Sequence, residues 1–277
     1  MAPSLLHFGV FIVWPILFSF YLSFHDYSVL ETARRFVGLG NYARLLSDPA
    51  FFRSLLNTVS YVALEVALTT SGSLCIALLL NRKMRGRSFL RGAFYSPTVV
   101  SYVAASLVWL WIYDPLYGVF DFCLRKLGLP GVGWLQNPAW ALPSLALMGV
   151  WKSVGYYMVI YLAGLQSIPR TYYEAGAIDG ATGWSAFLHI TWPLLMPYTL
   201  FVVVVGVIQA FQVFAPVYVM TKGGPLGATS VIVFYLYEQA FTFYKMGYAS
   251  AVAYVLFVTI FILTLLQFRL MGQRIHY

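Results

Sequence analysis

Two ionisable side chains, Glu65 and Lys152, stand inside long apolar runs, where charge is costly. Residues of this kind are functional candidates in lipid. Counted from Asn57 and Ala141, where their helices would enter, they lie roughly 12 and 16 Å down at about 1.5 Å per residue. The depths differ by less than one turn, so both are expected to face the protein interior and to pair. Two roles follow from that placement. Either Lys152, with Tyr156 and Tyr157 beside it, lines a solute path, or a buried ion pair fixes the second helix against the fourth. Gln209 and Gln212 come next, since amides bond hydroxyl-rich solutes as well as neighbouring helices, with helix packing the safer reading. Nothing in the chain assembles a nucleophile, a base and an orienting partner. His7, His25, His189 and His276 are scattered without metal spacing, and Cys75 and Cys123 read as unpaired bystanders. A phosphate loop, G-x-x-x-x-G-K-[ST], is missing; the nearest string, Lys222-Gly223-Gly224-Pro225, has the wrong order. The chain is expected to bind no metal or cofactor and not to be a catalyst on its own.

The elements that must position these residues follow from composition. Of 277 residues, 61% are hydrophobic and 9% charged, with a mean hydropathy of +0.77. Soluble domains carry about 45–50% apolar and about 25% charged residues. A soluble enzyme, a secreted disulfide scaffold and a disordered tail are thereby excluded. Stretches of about 20 apolar residues recur six times, at roughly 4–24, 57–80, 92–113, 141–165, 196–216 and 247–268. Runs such as Leu200–Val207 do not alternate in polarity, which argues against a barrel. The expectation is an all-α polytopic membrane protein of about six spans, forming one domain over residues 1–277. The net charge of +8 is dispersed between apolar runs, so it points to loop orientation rather than to nucleic acid.

Residues 81–91 hold Arg82, Lys83, Arg85, Arg87 and Arg91 without an acid, which places that loop in the cytoplasm. Segments 25–56, 114–140 and 217–246 then face outward, and both termini are cytoplasmic, in keeping with Arg269 and Arg274. The first span lacks the charged flank of a cleaved signal peptide, and a truncated or misassigned start is an open alternative. In the first outer loop, Tyr42, Leu45, Leu46 and Phe52 suggest short interfacial helices. Trp109, Trp111, Tyr113, Trp134 and Trp140 suggest an outer aromatic belt.

The cytoplasmic stretch 166–195 is polar for another reason. Its single Arg170 stands against Glu174 and Asp179, so it does not set topology. Pro169 starts a helix that continues through Tyr172–Ile178 and breaks at Gly180. A second short helix is expected from about Thr182 to Ile190, before Pro193 leads into helix five. Ala175, Gly176, Ala177, Gly180 and Ala181 give a small-faced helix suited to docking in another protein's groove, or simply to lying on the membrane.

The string Glu174-Ala175-Gly176, with Gly180, Ile190 and Pro193 following, resembles the EAA motif of membrane permeases from binding-protein-dependent ABC importers. It departs from the pattern twice, with Gly176 for the second Ala and Trp192 for Leu. Four further strings resemble the branch that handles sugars and glycerol phosphate: Phe36-Val37-Gly38-Leu39 with Asn41-Tyr42, Trp111 to Pro115, Ala163 to Pro169, and Thr221 to Pro225. That resemblance implies a coupling helix seated in a cleft of an ATPase subunit. Glu174 would meet a basic group there, Ala175 would sit tight against the wall, and Gly180 would permit the turn. Asp179 would cap the second helix.

It further implies a second homologous permease, a dimer of ATPase subunits that carries the ATP and Mg, and an extracytoplasmic substrate-binding protein, in a bacterial or archaeal cytoplasmic membrane. A self-contained secondary transporter or channel built on Glu65 and Lys152 is the alternative, although its repeated halves are not seen.

Overall fold

The computed structural model describes residues 2–30, 34–82 and 84–272. Lys83, Arg274 and His276, which entered the charge and metal readings, lie outside the described residues. Among the described residues, five helices are long and apolar enough to cross a membrane: α1 (Pro3–Ser23), α3 (Pro49–Asn81), α7 (Pro138–Ser167), α9 (Trp184–Phe211) and α11 (Met246–Gly272). Between them come the short helices α2 (Gly40–Leu46), α6 (Val119–Lys126), α8 (Arg170–Ile178) and α10 (Ile232–Tyr237). Strands β1 (His25–Asp26) and β2 (Arg35–Phe36) form a two-stranded antiparallel pair. The fold is an all-α, multi-pass membrane architecture, as composition requires.

The third span differs from expectation. Residues 92–113 are not one helix but the end of α4 (Arg87–Val99) and the whole of α5 (Tyr102–Ile112), bent by 103°. Pro97 removes a backbone donor inside α4, and Val100 and Ser101 are extended. Ser101 restarts the chain as an N-cap, its Oγ accepting from the Ala104 amide at 3.2 Å.

The fifth span also shifts. It begins at Trp184 rather than 196 and ends at Phe211 rather than 216. The expected second helix of the 166–195 loop is therefore the first part of α9, and Pro193 marks no break. Phe187–Thr191 widens into a π-helical turn just ahead of Trp192-Pro193, which absorbs the missing proline donor without ending the helix. Phe52 likewise belongs to α3, which starts at Pro49, rather than to an interfacial helix.

Helices α3 and α7 form the centre. The buried side of α3 reads Tyr61, Glu65, Thr69, Ser73 and Ala77, one residue every four, which lays a single stripe against α7. Small partners allow close approach, as expected where lipid supplies no hydrophobic drive between helices. A Cβ on Gly155 of α7 would lie 1.9 Å from the Phe94 carbonyl oxygen, so α4 can seat there only against glycine.

Side-chain hydrogen bonds close the end away from the basic 81–91 loop. Asp48 caps α3 through the Ala50 amide at 2.8 Å and accepts the hydroxyls of Tyr235 and Tyr248. Asn57 donates to the Gly227 and Ser230 carbonyls, and Thr58 accepts the Ile232 amide. The expected aromatic belt is mostly an internal cluster: Tyr113 packs on Trp109 and Trp134 and donates to the Ser144 carbonyl at 2.8 Å. Trp111, 82% exposed, and Trp140, 45% exposed, are the members that face outward.

Candidate functional site

Glu65 and Lys152 are both buried at mid-span, but they do not pair. Lys152 Nζ donates to the carbonyl oxygens of Pro97 at 3.0 Å and Thr98 at 2.8 Å, and lies over the Tyr102 ring at 4.9 Å. Thr98 Oγ1 returns a bond to the Lys152 carbonyl. The last carbonyls of a helix have no partner within it, and a cation suits that negative end. Lys152 is thus the cap of the broken span. Reasoning from depth alone missed this, because it took residues 92–113 as one straight helix with no free carbonyls.

Glu65 faces elsewhere. Its Cγ packs against Gly149 of α7, where an added Cβ would meet it at 3.2 Å and the Tyr61 hydroxyl at 2.7 Å. Thr69, one turn on, donates to Glu65 Oε1 at 3.4 Å. Beside these residues lies a cavity of about 470 Å³, lined by Tyr61, Glu65, Tyr102, Ser153, Tyr157, Gln209 and Gln212, with Phe214 and Pro216 at one side. That size falls within the range of small-molecule sites, about 300–1,000 Å³. A neighbouring cavity of about 300 Å³ shares Tyr102, Ser153, Tyr157 and Gln209 and adds Thr98, Lys152 and Tyr156.

All six residues singled out for a solute path therefore line one or the other space. Gln212 lies at the end of α9 and Gln209 one turn before it, so both reach the cavity from the same helix. Tyr157 is 2% exposed, and its hydroxyl has no partner. Buried hydroxyls are normally bonded, so an orphan on a cavity wall is a group waiting for a ligand or water.

Tyr61, Tyr102 and Ser153 went unnoticed in the sequence. Tyr61 stands four residues before Glu65, a usable signal for one helix face. Tyr102 reaches the wall only because of the bend at Val100–Ser101, for which Pro97 and the capping Ser101 were the signals in the sequence.

The second group of candidates sits on α8. Helix α8 ends where expected: Gly180 takes φ +81°, the Gly180 amide bonds the Ala177 carbonyl at 3.2 Å, and the Ala181 amide bonds the Gly176 carbonyl at 2.7 Å. This is the paired closure that a left-handed glycine permits. Asp179 is the residue just before that glycine, and its side chain caps nothing; the following helix starts after Gly183 without a side-chain cap.

A Cβ on Gly176 would lie 2.4 Å from Ile190 Cδ1, so glycine at this position leaves room for the isoleucine side chain. Tyr173 adds a hydrogen bond to Thr191 at 3.0 Å. Helix α8 is thereby held on the start of α9 by Gly176–Ile190 and Tyr173–Thr191. Glu174, Ala175 and Ile178 share its outer face and are exposed, Ile178 by 87%. Pro193 is exposed on α9, one turn beyond that contact.

Residues 71–277 match the family described as the binding-protein-dependent transport system inner membrane component. The chain belongs to this family. The permease is 37% identical to the probable ABC transporter permease protein YesP of Bacillus subtilis, over 100% of this chain and 90% of that one. It is 36% identical to the trehalose/maltose transport system permease protein MalF of Thermococcus litoralis, over 97% and 91% of the two chains. It is 34% identical to the sn-glycerol-3-phosphate transport system permease protein UgpA of Brucella abortus, over 100% and 94%. Its fold matches a chain of a bacterial alginate ABC transporter, solved in complex with a pentasaccharide-bound periplasmic protein, with a TM-score of 0.86 at 22% identity, covering 99% of this chain and 93% of that one. Permeases of this family are transport components rather than catalysts, and among the described residues no group of three potential metal ligands gathers.

Proposed function

We propose that this permease is the transmembrane subunit of an ATP-driven importer for sugar-type solutes. It supplies half of the solute path, a second homologous permease supplies the other half, and the energy arrives through α8. The carrying observation is α8 itself, a helix outside the spans, fixed to α9 on one side while its other side presents Glu174, Ala175 and a bare Ile178. An isoleucine exposed beside a carboxylate, on a helix packed at its back, fits a partner's groove. The partner proposed is an ATPase subunit of the importer, which carries the ATP and Mg, so that this chain holds no cofactor. Motion of that subunit would pass through Ile190 and Thr191 into α9, whose far end carries Gln209 and Gln212 beside the cavity.

The arginines at 82, 85, 87 and 91 support an orientation with the α8 end and both termini in the cytoplasm. A binding protein, to which the family's description points, would dock at the opposite end. Affinity purification of the tagged chain from its own membranes, beside a Glu174→Arg variant, tests the reading. An ATPase and a second permease should accompany the wild type, and the ATPase should be lost from the variant. A wild type that purifies alone sinks the importer reading.

A further inference from the structure

We infer that Glu65 makes this half of the path selective against anions, so that the cargo is a neutral, hydroxyl-rich solute rather than one bearing carboxylate or phosphate. The inference rests on the importer reading and adds the charge class of the cargo. The relatives leave that class open, since one is named for trehalose and maltose and another for sn-glycerol-3-phosphate.

The walls of the 470 Å³ cavity carry a single carboxylate, Glu65, and no Lys, Arg or His. The remaining polar groups are neutral: the hydroxyls of Tyr61, Tyr102, Ser153 and Tyr157, and the amides of Gln209 and Gln212. Lys152, the nearest cation, borders only the smaller space, and its ammonium is already held by the Pro97 and Thr98 carbonyls at the negative end of α4. Two of its three N–H donors are thereby spent on the chain itself. Glu65, by contrast, is met by Thr69 at a long 3.4 Å and retains acceptor capacity toward the cavity.

A hydroxyl-rich solute fits this set. Its O–H groups donate to the carboxylate, a charge-assisted bond, while the unpartnered Tyr157 hydroxyl and the two amides supply both donors and acceptors. The ionised carboxylate repels an anionic group in the same cavity, and with the Lys152 cation close by the net penalty is at least about 10-fold in affinity relative to a neutral solute.

The test uses the copurified importer in lipid nanodiscs without its binding protein, so that any discrimination belongs to the membrane path. Saturation-transfer NMR with equimolar methyl glucoside and glucuronate reads both weak ligands in one sample. The wild type should favour the neutral sugar by at least about 10-fold. Glu65→Gln, which keeps size and hydrogen bonding, should bring the ratio within about twofold, and Glu65→Asp should preserve it. A wild type that prefers glucuronate, or a Glu65→Gln variant with an unchanged ratio, overturns the inference and leaves the importer reading standing if the ATPase still copurifies. Binding of neither sugar overturns both the inference and the sugar-type cargo on which it rests.

Discussion

The cavity wall and the α8 arm invert each other's polarity. Within the spans, Glu65 and Lys152 are 7% and 5% exposed, while outside them Ile178 is 87% exposed. In lipid, an unsatisfied polar group has no water to fall back on and must turn toward protein or a wet cavity. An isoleucine beyond the spans has neither lipid nor core to cover it, and an ATPase subunit is the cover proposed here. Anomalies of opposite sign thus mark the two regions on which the proposed function rests, the cavity for cargo and α8 for the ATPase.

The comparison can be broken most forcefully at Lys152. Lys152→Met should leave two buried carbonyls without partners and destabilise the permease by about 3 kcal/mol, read as a lower unfolding midpoint in detergent. Unchanged stability together with lost solute binding would move Lys152 from the cap to the path. On the other arm, Ile178→Asp should weaken ATPase association by at least about 30-fold, near 2 kcal/mol, with the chain's own stability altered by less than about 0.5 kcal/mol. Pull-down titration and thermal unfolding of the same sample separate the two effects, and a destabilised chain with intact association would reverse the assignment.

An effect of similar size is expected at the opposite end, where polar side chains tie the structure shut. Asp48→Ala removes an N-cap and two tyrosine hydrogen bonds and should cost about 2 kcal/mol. Burial raises the Asp48 carboxyl, but the hydroxyls of Tyr235 and Tyr248 and the amides of Ala50 and Phe51 outweigh it, so its pKa lies below the ordinary 3.8. The folded state therefore favours the ionised form. Its contribution should be complete above pH 3.8 and disappear as pH falls below that, through the folded value, a dependence absent from Asp48→Asn. The smallest change, Gly180→Ala, forces a side chain into the left-handed region and should cost about 1 kcal/mol while fraying the end of α8. Amide exchange at Ala181 would report it, and unaltered protection there would remove the turn from the account.

Much of this was legible in the chain. Spans at α1, α7 and α11 follow from apolar length, since each needs only to cross lipid. The end of α8 was visible because Gly180 does there what glycine alone does without strain. The expected start of α9 was misread because Pro193 looks like a boundary, whereas the π-helical turn at Phe187–Thr191 lets the helix run through it. The Glu65–Lys152 pair was misread for a related reason. Depth along a helix says how far down a charge lies but not what a neighbouring helix offers it, and the carbonyls that Lys152 takes exist only because α4 stops.

By itself the sequence determined the solvent of this protein, the number of its long apolar segments, and the residues too polar or too apolar for their surroundings, because each is a property of composition along one strand of chain. Only the tertiary structure decided which of those residues meet. Tyr102 joins Tyr157 and Gln209 through a 103° bend, Ile190 fills the space left by Gly176, and Lys152 turns away from Glu65 toward a broken helix end. Such contacts depend on where separate helices stop and how closely they approach, and those distances are set by packing between segments rather than by periodicity within one.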